Sequence, residues 1–353
     1  MPGTNCADFS IRTFPSAEAL PPEALALLDG SSGFFATRAW WRVVVAHAMP
    51  PGAEAVFLAI RSHGHFIAVM PMLRSGSVFG SLTTPYTCTF VPLIAPGLDR
   101  ASRIGAMAAF ARFGRTAGIV RLDALPAGCN DLPVLEAGAR RAGMVPLRFD
   151  HFGNWQEDVS GLDWPAYLRR RTGALRETIR RRLRQAEKRS DARFDLFTRP
   201  DEMDQATEAF ESVYRRSWKD AEPYPEFNVA LIRESAEQGV LRLGVWSVGA
   251  EPVAVQLWIA LAGHATVLKL AHDEAFKVHS PGTVLTALML KHFLNIEHVT
   301  RIDFGRGDDA YKQGWAVERR QRTGMLLVNP WCIAGIAALL RHSIGWIRRA
   351  YRR

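Results

Sequence analysis

Apolar and polar positions in the last third of the chain follow two different periods, which together predict a strand, a helix and a second strand. Thr300–Phe304 alternates apolar and polar residues as a half-buried strand does, and Thr266–Ala271 is predicted to form the preceding strand. The residues between them place apolar side chains three and four positions apart, which predicts a helix with one buried face: Val284, Leu285, Leu288, Met289 and Phe293. We therefore expect this helix to cross over between two strands of one sheet.

The sequence Ser280-Pro281-Gly282 marks the start of this helix. Serine is a favoured N-cap residue because its side chain accepts hydrogen bonds from first-turn amides, and proline is tolerated at the first helical position. Gly282 has no Cβ to hold a ligand off the backbone, so exposed amides and the positive end of the helix dipole can meet an anion such as a pyrophosphate. The same residues also fit an ordinary capped helix, and both interpretations stay open.

Two acidic residues lie at the end of the second predicted strand and shortly after it. Asp303 lies at the strand's end, where side chains reach a crevice rather than the core. Two glycines then allow a sharp turn into a helix predicted over residues 309–314. Asp303 and Asp308 are candidates for a catalytic or substrate-binding role, but either one could instead cap this helix or pair with Arg306.

Several short motifs occur in one order between Leu268 and Trp315. They are Lys269 and Asp273, Ser280-Pro281-Gly282, Asp303-Phe304, Gly307-Asp308, Tyr311-Lys312 and Trp315. In this respect the region resembles the acetyltransferase domain of bacterial cellulose- and exopolysaccharide-biosynthesis proteins (CelD-type), a GNAT-superfamily branch close to the Fem-type aminoacyl transferases. The resemblance extends more weakly over residues 30–325, through Trp40 and a hairpin predicted at 56–60 and 66–73.

The resemblance implies an α/β (α+β) fold of tandem GNAT-like domains, each a mixed twisted sheet flanked by helices in a Fem-like arrangement. We expect a degenerate N-terminal GNAT-like domain at 1–155, a C-terminal GNAT acyltransferase domain at 156–330 with a basic helix at 165–193, and a basic amphipathic helix at 331–353. The boundary is placed in the polar and glycine-containing stretch 150–161. Only the second domain is expected to retain the site.

The resemblance also implies roles for individual residues. The donor would be acetyl-CoA or another acyl-CoA, held by the backbone at Leu270 and by Ser280, Gly282 and Thr283. Tyr311 would act as the general acid for the leaving thiolate, and Asp303 or Asp308 as the base or acceptor-orienting group. The remaining motif residues would bind the substrates: Lys269, Asp273, Lys312 and Trp315.

This sequence departs from the typical GNAT pattern in the loop that binds phosphate. A typical GNAT member carries Arg/Gln-x-x-Gly-x-Gly/Ala before this helix, whereas His279-Ser280-Pro281-Gly282 stands here. Fewer glycines leave fewer amides to cradle phosphate, so the coenzyme A donor is implied by the family and not by the loop.

The net charge of +9 is concentrated in two segments. Residues 169–193 contain eleven basic and three acidic residues, and apolar residues of helical period accompany them at Leu168, Leu175, Ile179 and Leu183. Such a helix packs one face on the protein and projects its arginines elsewhere. It is either a solvated surface or a contact for a polyanion such as tRNA, an anionic polysaccharide or lipid headgroups.

The second basic segment ends the chain. Ile333, Ile336, Leu340, Ile344 and Ile347 form an apolar stripe, and Arg341 to Arg353 adds five arginines. The pattern fits a helix that docks onto its own domain. It also fits one that lies on an anionic membrane surface or on a partner such as a polysaccharide synthase.

Cysteines and apolar stretches bear on the compartment. The four cysteines are scattered without a C-x-x-C pair, so neither a disulfide framework nor a metal site is indicated. No secretory signal and no transmembrane helix are predicted. We expect a cytoplasmic protein, with peripheral contact at the inner membrane face as an option.

Three functions follow from these features. The first is acyl-CoA-dependent N- or O-acyl transfer to a small-molecule or saccharide acceptor. The second is a Fem-like transferase that uses aminoacyl-tRNA, and the third is a non-catalytic accessory subunit of a polysaccharide synthase.

Overall fold

The computed structural model describes residues 9–31 and 33–350, with side chains described as far as residue 341. These residues form two compact units. The first contains the chain up to residue 31, residues 35–152 and the chain from residue 321 onward; the second contains residues 153–320 with residues 33–34. The chain passes from one unit to the other inside two strands, β7 (Val145–Asp158) and β13 (Glu318–Val328). Residues 321–330, placed with the second domain in the sequence analysis, belong to the first unit.

The first unit is a mixed sheet with helices. Its other elements are β1 (Phe9–Phe14), α1 (Pro22–Asp29), α2 (Arg38–His47), β2 (Glu54–Ser62), β3 (His65–Ser75), β4 (Val78–Ser81), β5 (Leu93–Ile94), α3 (Arg100–Gly114), β6 (Ile119–Pro126), α4 (Asp131–Arg141) and α11 (Ile333–Ala350). The strands follow the order β1-β2-β3-β4-β6-β13-β7, and β5 pairs with β3. The predicted hairpin is present as β2 and β3, which pair antiparallel.

The second unit is also a mixed sheet with helices. It contains α5 (Trp164–Arg169), α6 (Gly173–Glu187), β8 (Ala192–Phe197), α7 (Met203–Arg215), α8 (Phe227–Glu237), β9 (Leu241–Val248), β10 (Glu251–Leu261), β11 (His264–His272), α9 (Pro281–Asn295), β12 (Arg301–Arg306) and α10 (Lys312–Trp315). Its strands follow the order β8-β9-β10-β11-β12-β7.

The two units repeat one topology. In each, four antiparallel strands in sequence order are followed by a helix and then by a strand that pairs parallel to the fourth: β4 with β6 across α3, and β11 with β12 across α9. A parallel pair needs such a crossover, because a tight turn can only join antiparallel strands. The predicted α/β class, with tandem sheets flanked by helices, is confirmed, and so is the crossover role of the helix that follows Ser280.

The core of the second unit lies between the sheet and α9. Trp258 on β10 is fully buried, and its ring contacts Phe293 on α9 at a centroid distance of 5.1 Å and Phe304 on β12 at 5.9 Å. The predicted apolar positions Val284, Leu285, Met289 and Phe293 are all buried, while Leu288 packs against the edge of this core. The opposite face of the sheet is covered by α7, because side chains alternate along a strand and Lys269 on β11 reaches Tyr214 on α7.

Two predicted helices differ from the structure. The basic helix predicted over 165–193 is two helices, α5 and α6, because Arg171 turns inward and the Thr172 side chain caps a new helix by accepting from the amide of Leu175. The short helix predicted over 309–314 begins later, at Lys312, and ends at Trp315.

Two roles were left open for the C-terminal stripe, docking onto its own domain or contact with a membrane surface or a partner. Its members Ile333, Ile336 and Leu340 are exposed, so the docking prediction is wrong for these residues. Ile344 and Ile347 lie outside the described side chains. Among the described residues, no helix is both long enough and apolar enough to cross a membrane.

Candidate active site

Strands β11 and β12 run parallel for only three residue pairs and then diverge. The pairs are His264 with Arg301, Ala265 with Ile302, and Thr266 with Asp303. Beyond them β11 continues to His272 and β12 to Arg306 without further pairing between the two strands. Diverging parallel strands leave backbone groups of their inner edges without a strand partner, so a ligand can enter the gap.

A β-bulge lies in β11 just past the point of divergence. On the neighbouring strand β10, Leu257 pairs with Lys269 and Trp258 pairs with Val267, so Leu268 has no partner there. Leu270 returns to the regular register, opposite Gln256. A bulge releases backbone groups from the ladder and occurs often beside active sites. The bulge thus lies two positions before Leu270, whose backbone is predicted to hold the donor.

The helix α9 begins beside this gap. Ser280 occupies the N-cap position and Pro281 the first helical position, as predicted. The predicted side-chain cap is absent, however, because Ser280 adopts a left-handed conformation (φ 54°) and its hydroxyl accepts no first-turn amide. The missing cap matters for function, because a capping side chain would occupy a first-turn amide that could otherwise bind an anion.

The amides of Gly282 and Thr283 have no acceptor among the described parts of the protein. The first intrahelical bond of α9 joins the Val284 amide to the Ser280 carbonyl, at 3.1 Å. A Cβ on Gly282 would lie 3.5 Å from Nδ1 of His272, the last residue of β11, so the helix start and the strand end are adjacent. Two unsatisfied amides at a helix N-terminus form a ready site for a phosphate oxygen.

A chain of buried hydrogen bonds fixes the first turn of α9 to the sheet. Gln256 Nε2 donates to Thr286 Oγ1 at 2.7 Å, and Thr286 Oγ1 donates to the Gly282 carbonyl at 2.8 Å. Trp258 Nε1 in turn donates to Gln256 Oε1 at 2.9 Å. Since these side chains are buried, the bonds hold the Gly282 amide in place relative to β10.

Asp303 shapes the end of β12. Its Oδ1 accepts from Asn154 Nδ2 and from the Gly305 amide, both at 2.7 Å. Asn154, fully buried on β7, also donates to the Gly305 carbonyl at 2.9 Å. These bonds orient the carboxylate, and they engage Oδ1 rather than Oδ2.

Asp308 is committed to an ion pair. Its carboxylate accepts from Arg319 Nε at 2.9 Å and from Trp155 Nε1 at 3.0 Å. The hydrogen bond from Arg319 is the main cause that holds the pKa of Asp308 below its ordinary value. A Cβ at Gly153 would collide with this carboxylate, which explains the glycine there. A carboxylate stabilised in its ionised form is a weak base, so the geometry disfavours Asp308 in that role.

Tyr311 directly precedes α10 and keeps 42% of its surface exposed. Desolvation of its hydroxyl, together with the Asp309 carboxylate, nevertheless raises the pKa of Tyr311 above its ordinary value. The phenol therefore stays protonated throughout the neutral range, as a general acid must.

Lys312 and Trp315 are turned into the protein. Lys312 is buried, and its Nζ donates to the Arg306 carbonyl at 2.6 Å and pairs with Asp309 at 3.0 Å. The Trp315 ring lies in the core, and its carbonyl accepts from Arg171 at 2.6 Å. These contacts close the loop that carries Asp308 and Tyr311.

Lys269 and Asp273 contact the segment that follows α7. Lys269 Nζ forms an ion pair with Glu222, which also accepts from the hydroxyl of Tyr214. Burial lowers the pKa of Lys269, although the bond to Glu222 opposes this effect. Asp273 accepts from Arg216 Nε at 2.7 Å and caps the following turn through the Ala275 amide at 2.9 Å.

A cavity of about 680 Å³ opens beside this ion pair. Its walls come from α7, the loop after it and the start of α8, and include Phe210, Tyr214, Lys219, Glu222 and Asn228. Sequence reasoning missed Tyr214, Glu222 and Asn228. No local motif marks them, because Glu222 meets Lys269 only across a separation of 47 positions.

The predicted residues thus fall into two groups. Lys269, Leu270, Ser280, Gly282 and Thr283 lie on β11 and the start of α9, while Asp303, Asp308, Tyr311 and Lys312 lie on the end of β12 and the loop that follows. Asp273 and Trp315 have their polar groups engaged within the protein. Within the described ranges, no group of three or more His, Cys, Asp or Glu side chains is placed to hold a metal ion.

Comparisons with known proteins find similarity in one region of the sequence. Residues 173–313 match the family model described as "Acetyltransferase (GNAT) domain". No curated protein matches the chain in sequence.

Several solved structures share the fold. FemX is 11% identical with a TM-score of 0.57, and the match covers 86% of this chain and 95% of FemX. A tandem GNAT protein from the clavulanic acid biosynthesis pathway is 14% identical with a TM-score of 0.52, over 91% of this chain and 98% of its own. L-PGS from Bacillus licheniformis is 11% identical with a TM-score of 0.51, and the match covers 79% of this chain and 86% of L-PGS. At these identities the likeness concerns the fold alone.

Proposed function

We propose that this chain, whose residues 173–313 match the model of a GNAT acetyltransferase domain, is an acyl-CoA-dependent acyltransferase. It transfers an acyl group, acetyl in the first instance, to an amine or hydroxyl of an acceptor related to the cell envelope or to exopolysaccharides of the CelD-type systems. The observation that carries the proposal is the meeting, in one unit, of diverging strands, a bulge at Leu268 and a helix start whose amides lack acceptors.

Donor binding follows from the backbone. The amides of Gly282 and Thr283 donate hydrogen bonds to the pyrophosphate oxygens, and the dipole of the 15-residue helix α9 adds a favourable field. The thioester lies in the gap between β11 and β12. A backbone amide of residues 268–270 donates to its carbonyl oxygen, which becomes negatively charged as the bond to the nucleophile forms.

The transfer itself is a direct attack on the thioester carbonyl carbon. A bond forms from the acceptor nitrogen or oxygen to this carbon, and the bond from carbon to sulfur breaks. Tyr311 donates its proton to the leaving thiolate, and a base takes the proton of the nucleophile. Of the two candidate carboxylates, Asp303 is the better base, because Arg319 holds Asp308 in its ionised form.

The acceptor enters through the cavity of about 680 Å³ beside Glu222. Tyr214 and Phe210 stack at a centroid distance of 5.4 Å and offer an aromatic wall. Glu222 and Lys269 provide paired charges next to it, which suits an acceptor that carries both hydroxyl and amino groups. The assignment of Lys269, Asp273, Lys312 and Trp315 to substrate binding stays a prediction. Through the contacts described above, Asp273, Lys312 and Trp315 also hold the loops of the site in place.

Calorimetric titration with acetyl-, malonyl- and long-chain acyl-CoA tests the donor. We expect binding of at least one of them by the unmodified protein and a loss of about 100-fold in Gly282→Asp, because a carboxylate at the second helical position repels phosphate while it suits the helix dipole. Ala174→Asp is the matched control, since it places the same charge at the second position of another 15-residue helix, α6. Equal affinities in the two variants, or no binding of any acyl-CoA, would contradict the proposal.

A second candidate is a Fem-like transferase that uses aminoacyl-tRNA, and the surface of α6 favours it. Arg180, Arg181 and Arg184 are exposed there, on a helix whose Ile179 is buried. Binding of tRNA that falls steeply with salt, together with activity sensitive to ribonuclease, would support this candidate over an acyl-CoA donor. The accessory-subunit alternative predicts no binding of either donor and co-purification with a membrane glycosyltransferase.

A further inference from the structure

The start of α11 exposes large apolar side chains on one side. Trp331 is 78% exposed, Ile333 89%, Ile336 49% and Leu340 61%. The last three lie at helix positions i, i+3 and i+7 and therefore share one face. Four large apolar side chains exposed within ten residues form a patch of the kind that marks an interaction surface.

The orientation of this patch is fixed by the other side of the helix. A Cβ on Gly335 would collide with the carbonyl oxygen of Asn329, so the first turn of α11 packs closely against that residue. Asn329 is held in turn, because its amide donates to the Gly118 carbonyl at 2.8 Å and its Nδ2 to the Arg115 carbonyl at 3.3 Å. The helix start is thus anchored on the first unit by one side while its apolar face is presented to solvent.

The charged residues in the sequence from Arg319 onward have a single sign. No Asp or Glu occurs in the sequence after Glu318, whereas Arg341 is exposed next to Leu340 and four more arginines follow: Arg348, Arg349, Arg352 and Arg353. The apolar spacing also continues in the sequence through Ile344 and Ile347. An apolar face beside clustered arginines suits a lipid bilayer, whose acyl chains are apolar and whose headgroups are anionic. An exposed Trp suits the boundary between these two layers.

We propose that the segment that begins at Trp331 binds the surface of an anionic lipid bilayer, with Trp331, Ile333, Ile336 and Leu340 inserted among the acyl chains and Arg341 at the headgroups. The helix lies in the plane of the surface, and the arginines that follow in the sequence add positive charge to this segment. The proposal does not depend on the acyl-transfer reaction.

Sedimentation of the full chain with lipid vesicles tests the proposal. We expect binding to vesicles of phosphatidylcholine and phosphatidylglycerol in equal parts, and little binding to phosphatidylcholine alone. The double variant Ile333→Asp/Leu340→Asp should weaken binding by about tenfold or more, because it places charge on the inserted face. Arg348→Gln/Arg349→Gln should weaken it roughly 25-fold at low salt, at about fivefold for each arginine near an anionic surface.

The control is Val78→Asp/Ile296→Asp, which alters two exposed apolar residues elsewhere and should leave vesicle binding unchanged. Circular dichroism and thermal unfolding confirm that the exposed substitutions preserve the fold. The proposal is overturned if neutral and anionic vesicles bind equally, or if Ile333→Asp/Leu340→Asp binds like the unmodified chain. It is also overturned if sedimentation velocity shows a dimer that this variant abolishes while vesicles are ignored, since a second copy would then cover the patch.

Discussion

At the scale of single residues, the site differs from an ordinary helix start through the behaviour of a few side chains. Ser280 leaves the first-turn amides of α9 without a side-chain cap, and Arg319 ties Asp308 into an ion pair. Desolvation raises the pKa of Tyr311, whereas the hydrogen bond from Arg319 lowers the pKa of Asp308. At neutral pH the two groups of this loop therefore differ in charge, the phenol being neutral and the carboxylate ionised.

Tyr311→Phe should lower turnover by about 100-fold, because the leaving thiolate loses its proton donor, and should leave donor affinity unchanged. Steady-state kinetics and calorimetry on the same preparation measure the two effects. Tyr86→Phe in the first unit serves as the control. Undiminished turnover in the Tyr311 variant would remove this residue from the mechanism.

The buried ion pair between Arg171 and Glu157 is the second prediction at this scale. The two side chains are fully buried, and Arg171 Nη2 lies 2.6 Å from both carboxylate oxygens. Arg171→Met should lower the free energy of unfolding by about 3 kcal/mol, because the buried Glu157 carboxylate loses its bidentate partner and keeps only the longer contact to Arg170 at 3.3 Å. Urea denaturation measures the loss. The double variant Arg171→Met/Glu157→Gln should recover part of it, and a single variant as stable as the unmodified protein would refute the argument.

At the scale of elements, the site is made by the relation between strands and one helix. Three residue pairs join β11 to β12 before they separate, and the bulge at Leu268 interrupts the ladder with β10. The buried hydrogen bonds that join Gln256 to Thr286 and Thr286 to the Gly282 carbonyl then fix the position of the first turn of α9. A helix start placed in this way is preorganised, so donor binding does not have to order it.

Thr286→Val tests this anchor. The change keeps the shape of the side chain but leaves the Gln256 amide without its acceptor, which should cost about 1–3 kcal/mol of stability. We also expect weaker donor binding, because the Gly282 amide is no longer held. Thermal unfolding and calorimetric titration measure the two effects. The control is Thr116→Val, since Thr116 bonds the Phe113 carbonyl at an exposed position and its loss should change neither quantity. Unchanged donor affinity in the Thr286 variant would show that the anchor is structural only.

At the scale of the whole molecule, one topology occurs twice but its helix start differs. In the second unit the crossover helix α9 has no side-chain cap. In the first unit the crossover helix α3 is capped by Asp99, whose carboxylate accepts from the Ser102 amide at 2.6 Å. This bond lowers the pKa of Asp99, which therefore stays ionised and occupies the place where an anion would bind.

The protein should accordingly bind one donor molecule per chain. Calorimetric stoichiometry measures this number directly, and Gly282→Asp should abolish the single site. A stoichiometry of two, or a site that survives in this variant, would show that the first unit also binds the donor.

Local signals in the sequence were sufficient for part of this picture. The period of apolar residues predicted α9 and its flanking strands, and Ser280-Pro281-Gly282 predicted where α9 begins, because helix starts depend on residues adjacent in the chain. The tandem fold class was implied by the family resemblance that the order of motifs carries. The split of the basic segment into α5 and α6 escaped prediction, because it depends on Arg171 reaching Glu157 and the Trp315 carbonyl, which are remote in sequence.

The sequence by itself determined the strand, helix and strand around α9, where charge accumulates along the chain and which residues carry candidate chemistry, since each of these depends on neighbours along the chain. Only the tertiary structure decided what those residues contact. It brought Asn154 to Asp303 across 149 positions, separated β11 from β12 after three pairs, and turned Ile333, Ile336 and Leu340 toward solvent. Strand register and the packing of remote segments set these features, and no local pattern encodes either one.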